Sequence, residues 1–290
     1  MKYRTISFYK YKKIKNPEKF RDHIRKLCLD LDILGRILIG EEGINAAVSG
    51  KEKDIEKFKK EMKETFKGLT FREQVEKKYT HHKLVVKVRK EIVHFGQKVD
   101  LNRSGKKLSP KKLKEMYDKK EDFVIIDARN KYEADVGRFK GALILPIETF
   151  REFPDKLKNL SHLKGKKLVM YCTGGIRCEK ASAYLKQQGF KDVNQLEGGI
   201  INFVNQYPGT YFEGSCFVFD DRLTFQDGDP ISSCKHCDNP CSKYINCHNL
   251  DCDKLFICCP KCEKGMKGAC SEKCTKSKRQ RRGTDNKQFN

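Results

Sequence analysis

Cys172 heads the run Cys172-Thr173-Gly174-Gly175-Ile176-Arg177, directly after the apolar stretch 167–171 and before a helical segment at 179–188. A thiol placed there meets the N–H groups of the loop and the positive end of the following helix dipole. Both favour thiolate over thiol, and the thiolate is the nucleophile. Gly174 and Gly175 let the backbone curl without a Cβ. Arg177 adds a fixed cation directed at the same centre. An inert buried cysteine needs neither the glycine pair nor the arginine. Cys178 lies on the first turn of the helix. It either resolves a persulfide or sulfenate on Cys172 as a disulfide or packs the helix.

A second constellation closes the chain. Ten of the 14 cysteines are Cys234, Cys237, Cys241, Cys247, Cys252, Cys258, Cys259, Cys262, Cys270 and Cys274. The two-residue spacings Cys234/Cys237 and Cys259/Cys262 give two thiolates bite on one tetrahedral ion, and point to one or two structural zinc sites. His236 and His248 are spare ligand candidates. Disulfides and an iron–sulfur cluster are the alternatives. The segment has too few apolar residues to fold on burial alone, so bound metal would supply its folding energy. Spacing does not show which cysteines share an ion.

Several elements must position these groups. Residues 5–11 are rich in β-formers. Pro17 opens a helix with Phe20, Ile24, Leu27 and Leu31 at helical spacing. Short apolar runs at 35–39 and 44–48 flank Gly40-Glu41-Glu42-Gly43. A charged helix at 51–66 carries Ile55, Phe58 and Met62 on one face, and strands at 71–75 and 84–88 follow. This order predicts a ferredoxin-like α+β domain over residues 1–95. Residues 96–118 read as an exposed polar linker and a lead-in helix. Strands ending at Asp127, Pro146, Cys172 and Leu196, with helices around 150–160 and 179–188 between them, predict a doubly wound, mostly parallel α/β domain over 119–215. In such sheets ligands bind at the carboxyl ends of strands, where Asp127 and Cys172 lie. A cysteine-rich zinc-binding module at 216–275 and a basic, disordered tail at 276–290 complete the reading.

Asp127-Ala128-Arg129, Glu133, Gly137, Gly141-Ala142 and Pro146, with Leu196-Glu197-Gly198-Gly199-Ile200 after the loop, resemble the rhodanese signature. Four residues separate Cys172 from Arg177, where related phosphatases have five. The shorter cradle suits a single sulfur or a comparably small anionic group. The continuation to Cys178-Glu179-Lys180 is similar to one rhodanese subfamily, the tRNA uridine(34) hydroxylases. So are Gly40-Glu41-Glu42-Gly43-Ile44-Asn45, Lys87-Val88-Arg89-Lys90-Glu91-Ile92-Val93 and Gly214-Ser215-Cys216-Phe217-Val218-Phe219-Asp220. The resemblance covers residues 1 to about 225. It implies an acylphosphatase-like N-terminal domain and conversion of wobble uridine to 5-hydroxyuridine in tRNA, with molecular oxygen as co-substrate. On that reading Cys172 is the essential thiolate, residues 173–176 supply the N–H cradle, Arg177 holds the anion, and Asp127 with Arg129 brace the loop.

The charge agrees with a polyanionic partner. The 290 residues carry 62 Lys and Arg against 39 Asp and Glu, a formal net charge of +23. Basic runs at 77–78, 87–90 and 106–112 cluster near the domain junction, and a further run spans 276–282. No stretch approaches the ~18 apolar residues of a membrane span, and the alternating N-terminus lacks the apolar core of a signal peptide. A cytosolic protein is expected, its cysteines serving as ligands or reactive thiols. No nucleotide-cofactor motif is recognised, and no protein partner is specified. Two rival functions remain: a sulfurtransferase passing persulfide sulfur from Cys172, and a non-catalytic RNA-binding zinc protein.

Overall fold

The computed structural model describes residues 2–225 and 228–281. The N-terminal domain runs β1 (Tyr3–Tyr11), α1 (Pro17–Asp30), β2 (Leu34–Gly40), β3 (Gly43–Lys51), α2 (Glu52–Thr65), β4 (Arg72–Glu76) and β5 (Leu84–Val88). Asn16 caps α1 by accepting from the Lys19 N–H, with Pro17 in the first turn. The sheet order is β4-β1-β3-β2-β5. It is the expected ferredoxin-like arrangement with one further strand, β5, parallel to β2.

Period-two alternation sets the two faces of this sheet. Ile6, Phe8, Ile37, Ile39, Ile44, Ala46 and Val48 point to one side and pack on Ile24, Ile55, Phe58 and Met62 of the helices. The anticipated helix faces are therefore the buried ones, joined by Cys28. The opposite face carries Ser7, Tyr9, Arg36, Asn45, Arg72 and Gln74, and neither α1 nor α2 packs on it.

The second domain contains β6 (Lys106–Leu108), α3 (Pro110–Asp118), β7 (Val124–Asp127), α4 (Lys131–Val136), β8 (Gly137–Phe139), β9 (Leu143–Ile144), α5 (Phe153–Lys156), β10 (Lys167–Tyr171), α6 (Ile176–Gln187), β11 (Asp192–Leu196) and α7 (Gly199–Gln206). The parallel sheet has the order β6-β11-β10-β7-β9. Both faces are covered, as parallel sheets require. Leu168, Met170 and Cys172 face one core, shared with α5 and α6, while Val169 and Tyr171 face another, shared with α3 and α7.

Two local expectations change. Lys106–Leu108, read as exposed linker, is the edge strand β6 paired with β11. Its lysines are exposed, as edge strands tolerate, so the composition resembled a loop. The helix around 150–160 is broken into a 3-10 turn (Phe150–Glu152), the short α5 and a second 3-10 turn (Leu157–Leu163). Phe95, at the expected end of the first domain, is buried in the second, with its ring 5.0 Å from that of Phe150.

The remaining chain forms β12 (Phe212–Gly214), paired with β8, then the ribbon β13 (Cys216–Phe217) and β14 (Thr224–Phe225). The cysteine-rich module follows, with β15 (Tyr244–Asn246), β16 (Leu255–Ile257), α8 (Pro260–Gly265) and α9 (Glu272–Thr275). Tyr244 docks it on the second domain by donating from its hydroxyl to the Tyr132 carbonyl. The basic run begins on this module: Arg279 pairs with Asp251 and Arg281 with Asp253. Residues 276–281 of the expected disordered tail are thus folded back, and the rest lies outside the described residues. Among the described residues no helix is long and apolar enough to cross a membrane.

Candidate active site and metal centres

Cys172 follows β10 and is 1% exposed. The Gly175 N–H donates to its Sγ at 3.1 Å. Gly175 has φ +95°, a conformation side chains avoid, and a Cβ there would lie 3.2 Å from the Tyr9 hydroxyl. The loop carbonyls are drawn away from the sulfur by the closing motif. Ile200 N–H donates to the Cys172 carbonyl at 3.0 Å, and Ile201 N–H to that of Thr173 at 3.2 Å. Gly199 allows this approach, because a Cβ on it would sit 2.4 Å from the Cys172 oxygen.

Burial alone would raise the Cys172 pKa. The Cys178 thiol donating to it, the Arg177 charge, and the N–H groups of Arg177 and Gly175 outweigh burial and bring it down to about 5. Cys178 is fully buried, and its own thiol is pushed well up, first by burial and then by the neighbouring thiolate. Cys28 and Cys216, buried without such donors, are pushed up to about 12. The sequence-predicted nucleophile is therefore the thiol whose surroundings favour ionisation.

The sequence placed Arg177 facing the anion. Its guanidinium instead forms a bidentate pair with buried Glu133, at 2.6 and 2.7 Å, and acts on Cys172 through its charge and backbone N–H. Thr173 joins through its hydroxyl, 3.4 Å from Glu133. Asp127 and Arg129 form a second buried pair, with Arg129 Nη2 2.6 Å from Asp127 and 2.6 Å from the Gly137 carbonyl. The Tyr171 hydroxyl donates to Asp127 at 2.7 Å. This pair locks the end of β10, one residue before Cys172, rather than touching the loop. Glu133 was visible as a signature residue, but its partner was not.

The N-terminal domain reaches the same loop, which the sequence did not indicate. A cavity of about 370 Å³ lies between the open face of its sheet and residues Cys172, Thr173, Gly174 and Arg177. Phe219 overhangs it, 42% exposed, with the Arg177 guanidinium 5.8 Å from its ring. Tyr9 donates to Glu179 at 2.9 Å, and Arg72 to the Gly198 carbonyl at 3.1 Å. Beside the cavity, Lys180 on α6 is 3% exposed and pairs with Glu42 at 2.9 Å and Glu91 at 2.7 Å. The Glu-Glu turn and the Lys-Glu-Ile segment singled out in the sequence thus form the joint between domains. Nothing marked Tyr9 and Arg72 beyond their places on the polar side of alternating strands.

Eight of the ten tail cysteines gather into two quartets. Cys234, Cys237, Cys259 and Cys262 form one, and Cys247, Cys252, Cys270 and Cys274 the other, with the sulfurs of each within 4.8 Å of one another. Both two-residue knuckles fall in the first. Backbone N–H groups support the sulfurs, Cys259 donating to Cys234 at 3.3 Å and Cys270 to Cys247 at 3.4 Å. Four thiolates satisfy a tetrahedral ion, so each quartet fits one metal. Cys241 and Cys258 lie outside both; Cys258 donates to the Cys259 carbonyl. His236 is turned to the Ala269 carbonyl at 3.1 Å, and neither His236 nor His248 joins a quartet.

Comparison with known proteins divides the chain in the same way. Residues 3–92 match the UPF0176 acylphosphatase like domain, 109–206 the rhodanese-like domain and 213–275 the rhodanase C-terminal domain. A tRNA uridine(34) hydroxylase of Cytophaga hutchinsonii is 43% identical over 280 residues, covering 94% of this chain and 89% of that protein. One from Bacillus cereus is 40% identical, covering 96% and 91%. One from Chlamydia abortus is 38% identical, covering 96% and 88%.

Proposed function

The chain belongs to the tRNA uridine(34) hydroxylase family, and from that premise we propose that it converts the wobble uridine of tRNA to 5-hydroxyuridine, with molecular oxygen as co-substrate and Cys172 as its reactive group. The observation that carries this reading is a thiolate, with its pKa near 5, opening into a cavity of about 370 Å³ between two domains. That volume lies within the ~300–1,000 Å³ of small-ligand sites. It admits one nucleotide and excludes a helical stem. An unpaired base of an RNA loop turns outward at little cost, and RNA-binding proteins commonly read such bases.

Each element has a defined task. The N–H groups and Cys178 keep Cys172 ionised. The Glu133–Arg177 and Asp127–Arg129 pairs fix the cradle and the strand behind it. The apolar overhang of Phe219 offers a face for a base to stack on. Zinc is the metal we assign to the two quartets, where it would hold the module folded; no step of the reaction is assigned to it. The surplus of Lys and Arg draws the tRNA backbone, and a cytosolic location follows from that substrate.

The test is nucleoside mass spectrometry of tRNA from cells carrying wild-type protein or Cys172→Ser. We expect 5-hydroxyuridine at position 34 with the wild type and none with the variant. Persistence of the modification in the variant would exclude Cys172. A sulfurtransferase is the second reading, supported by a four-residue loop and N–H cradle sized for one sulfur. It requires thiosulfate-dependent persulfide formation on Cys172 with no change in tRNA hydroxylation.

A further inference from the structure

The thiol belongs to one domain, while the floor of the cavity in front of it belongs to the other. Strand register places Arg72 of β4, Ser7 of β1, Ala47 of β3 and Arg36 of β2 in a single row across the open sheet. Two arginines therefore flank two small residues. Four arginines line the cavity in all, together with one carboxylate, Asp220. Arg177 is neutralised by Glu133, and Arg222 by Asp220 and Glu76. Arg72 forms no ion pair with a carboxylate among the described residues. Its guanidinium lies 5.1 Å from the Tyr9 ring centre, and its side chain rests against Gly174 of the reactive loop.

Burial disfavours the charged form of Arg72 and outweighs the support it has from Tyr9, the Cys172 thiolate and Glu179, and burial together with Arg89 does the same for Arg36. A desolvated cation without a carboxylate partner, as Arg72 is, is stabilised by an anion that enters with the ligand. Lys87 is register partner to Leu38, which lines the cavity, so Lys87 stands on the open face and leads from the sheet edge toward Arg36. Cationic side chains thus stand on the outer strand, on β2 and beside the thiol on one face of the sheet.

We propose that Arg72, with Arg36 across the row, holds the phosphodiester of the nucleotide whose base is presented to Cys172. The N-terminal domain is then part of the active site, not only a tRNA-binding attachment. A planar guanidinium matches phosphate through two parallel N–H donors, which lysine cannot reproduce. The inference rests on the tRNA reading above, and it names the part of the substrate that the cavity grips.

The experiment uses the full chain as wild type, Arg72→Met, Arg36→Met and Arg72→Lys. Three quantities are read: kcat and KM for tRNA hydroxylation, protection of Cys172 from iodoacetamide by an anticodon stem-loop RNA at two salt concentrations, and the pH midpoint of Cys172 alkylation. Arg72→Met is expected to raise KM at least ~10-fold and to lower the salt dependence of protection by about one phosphate contact. The alkylation midpoint should rise only slightly, by the charge that Arg72 lends the Cys172 thiolate. Arg72→Lys should recover part of the loss. Arg36→Met, on the far side of the row, should act in the same direction and controls for disturbance of the loop. Unchanged KM and protection in both methionine variants would overturn the proposal. So would a strongly raised alkylation midpoint in Arg72→Met with unchanged KM, since that assigns Arg72 to the thiolate instead. If wild-type protein makes no 5-hydroxyuridine but the stem-loop still protects Cys172 in an Arg72-dependent way, the hydroxylase reading fails and the phosphate site stands.

Discussion

Cys172 differs from the other solitary cysteines by its hydrogen-bond donors, not by its exposure. Because its pKa is brought down to about 5, the thiolate fraction is already near complete at pH 7, where an ordinary thiol of pKa ~8.5 is mostly protonated. Alkylation of Cys172 should therefore reach its plateau rate by about pH 6, while Cys28 and Cys216 remain unlabelled at neutral pH. Peptide mass spectrometry across pH 4–9 reads all three, and labelling of Cys28 ahead of Cys172 would contradict the assignment. Cys178→Ala removes one donor to the thiolate. A hydrogen bond to a charged group is worth ~1.5–3 kcal/mol, so the midpoint should move up by roughly one to two pH units. Cys172 was legible because the groups that ionise it are local: Gly175, Arg177 and Cys178 lie within six residues. The partner of Arg177 was not, because Glu133 is 44 positions away and several other acids lie at similar separations.

Among the elements, α6 joins the two domains, since Lys180 leaves the helix that begins at the reactive loop and ends between two carboxylates of the N-terminal domain. Glu42 also accepts the Ile92 N–H at 2.7 Å, and Glu91 accepts those of Phe95 and Gly96. Lys180→Met would leave both acids facing each other without their cation. Breaking a buried pair costs ~3–5 kcal/mol, and the partial exposure of these acids puts the expected loss near the lower end. Thermal unfolding should show a lower first transition, and hydroxylation should fall because the floor of the cavity detaches from the loop. An unchanged transition would mean that the domains are held by other contacts. Elements with strong periodicity, such as α1, α2 and the strands of the first sheet, were readable from sequence. The edge strand β6 was not, because lysines on an unprotected edge look like a loop. The broken helix at 150–163 carries helical composition, but its turns are set by packing of Phe150 and Phe153 around Phe95.

The whole molecule has its charge and its architecture on separate terms: the three-part division was legible from cysteine placement and motif order, but the cavity between the first two parts was not, since it depends on how the open sheet face of one domain meets the reactive loop of the other. The basic edge outside that cavity gives a test at this scale. Lys87, Arg89 and Lys90 are exposed on or just after β5. Reversing their charges should weaken tRNA binding across sequences and flatten its salt dependence, with Cys172 alkylation unaltered. Filter binding at two salt concentrations checks this, and unchanged affinity would place the tRNA path elsewhere. Elemental analysis should find two zinc ions per chain, lost when residues 230–290 are removed. The order of the ligands along the chain adds a further consequence: the pairs alternate, 234/237 with 259/262 and 247/252 with 270/274, so the two quartets are interleaved along the chain. Neither ion can organise half a tail, and uptake should be all-or-none. Native mass spectrometry during metal titration should show empty and doubly loaded chains with few singly loaded ones. Tyr244 of that tail packs on Phe217, whose ring meets Phe219 above the cavity. Scarcity of metal would then sort the population into complete and incomplete enzymes, rather than slow every molecule alike.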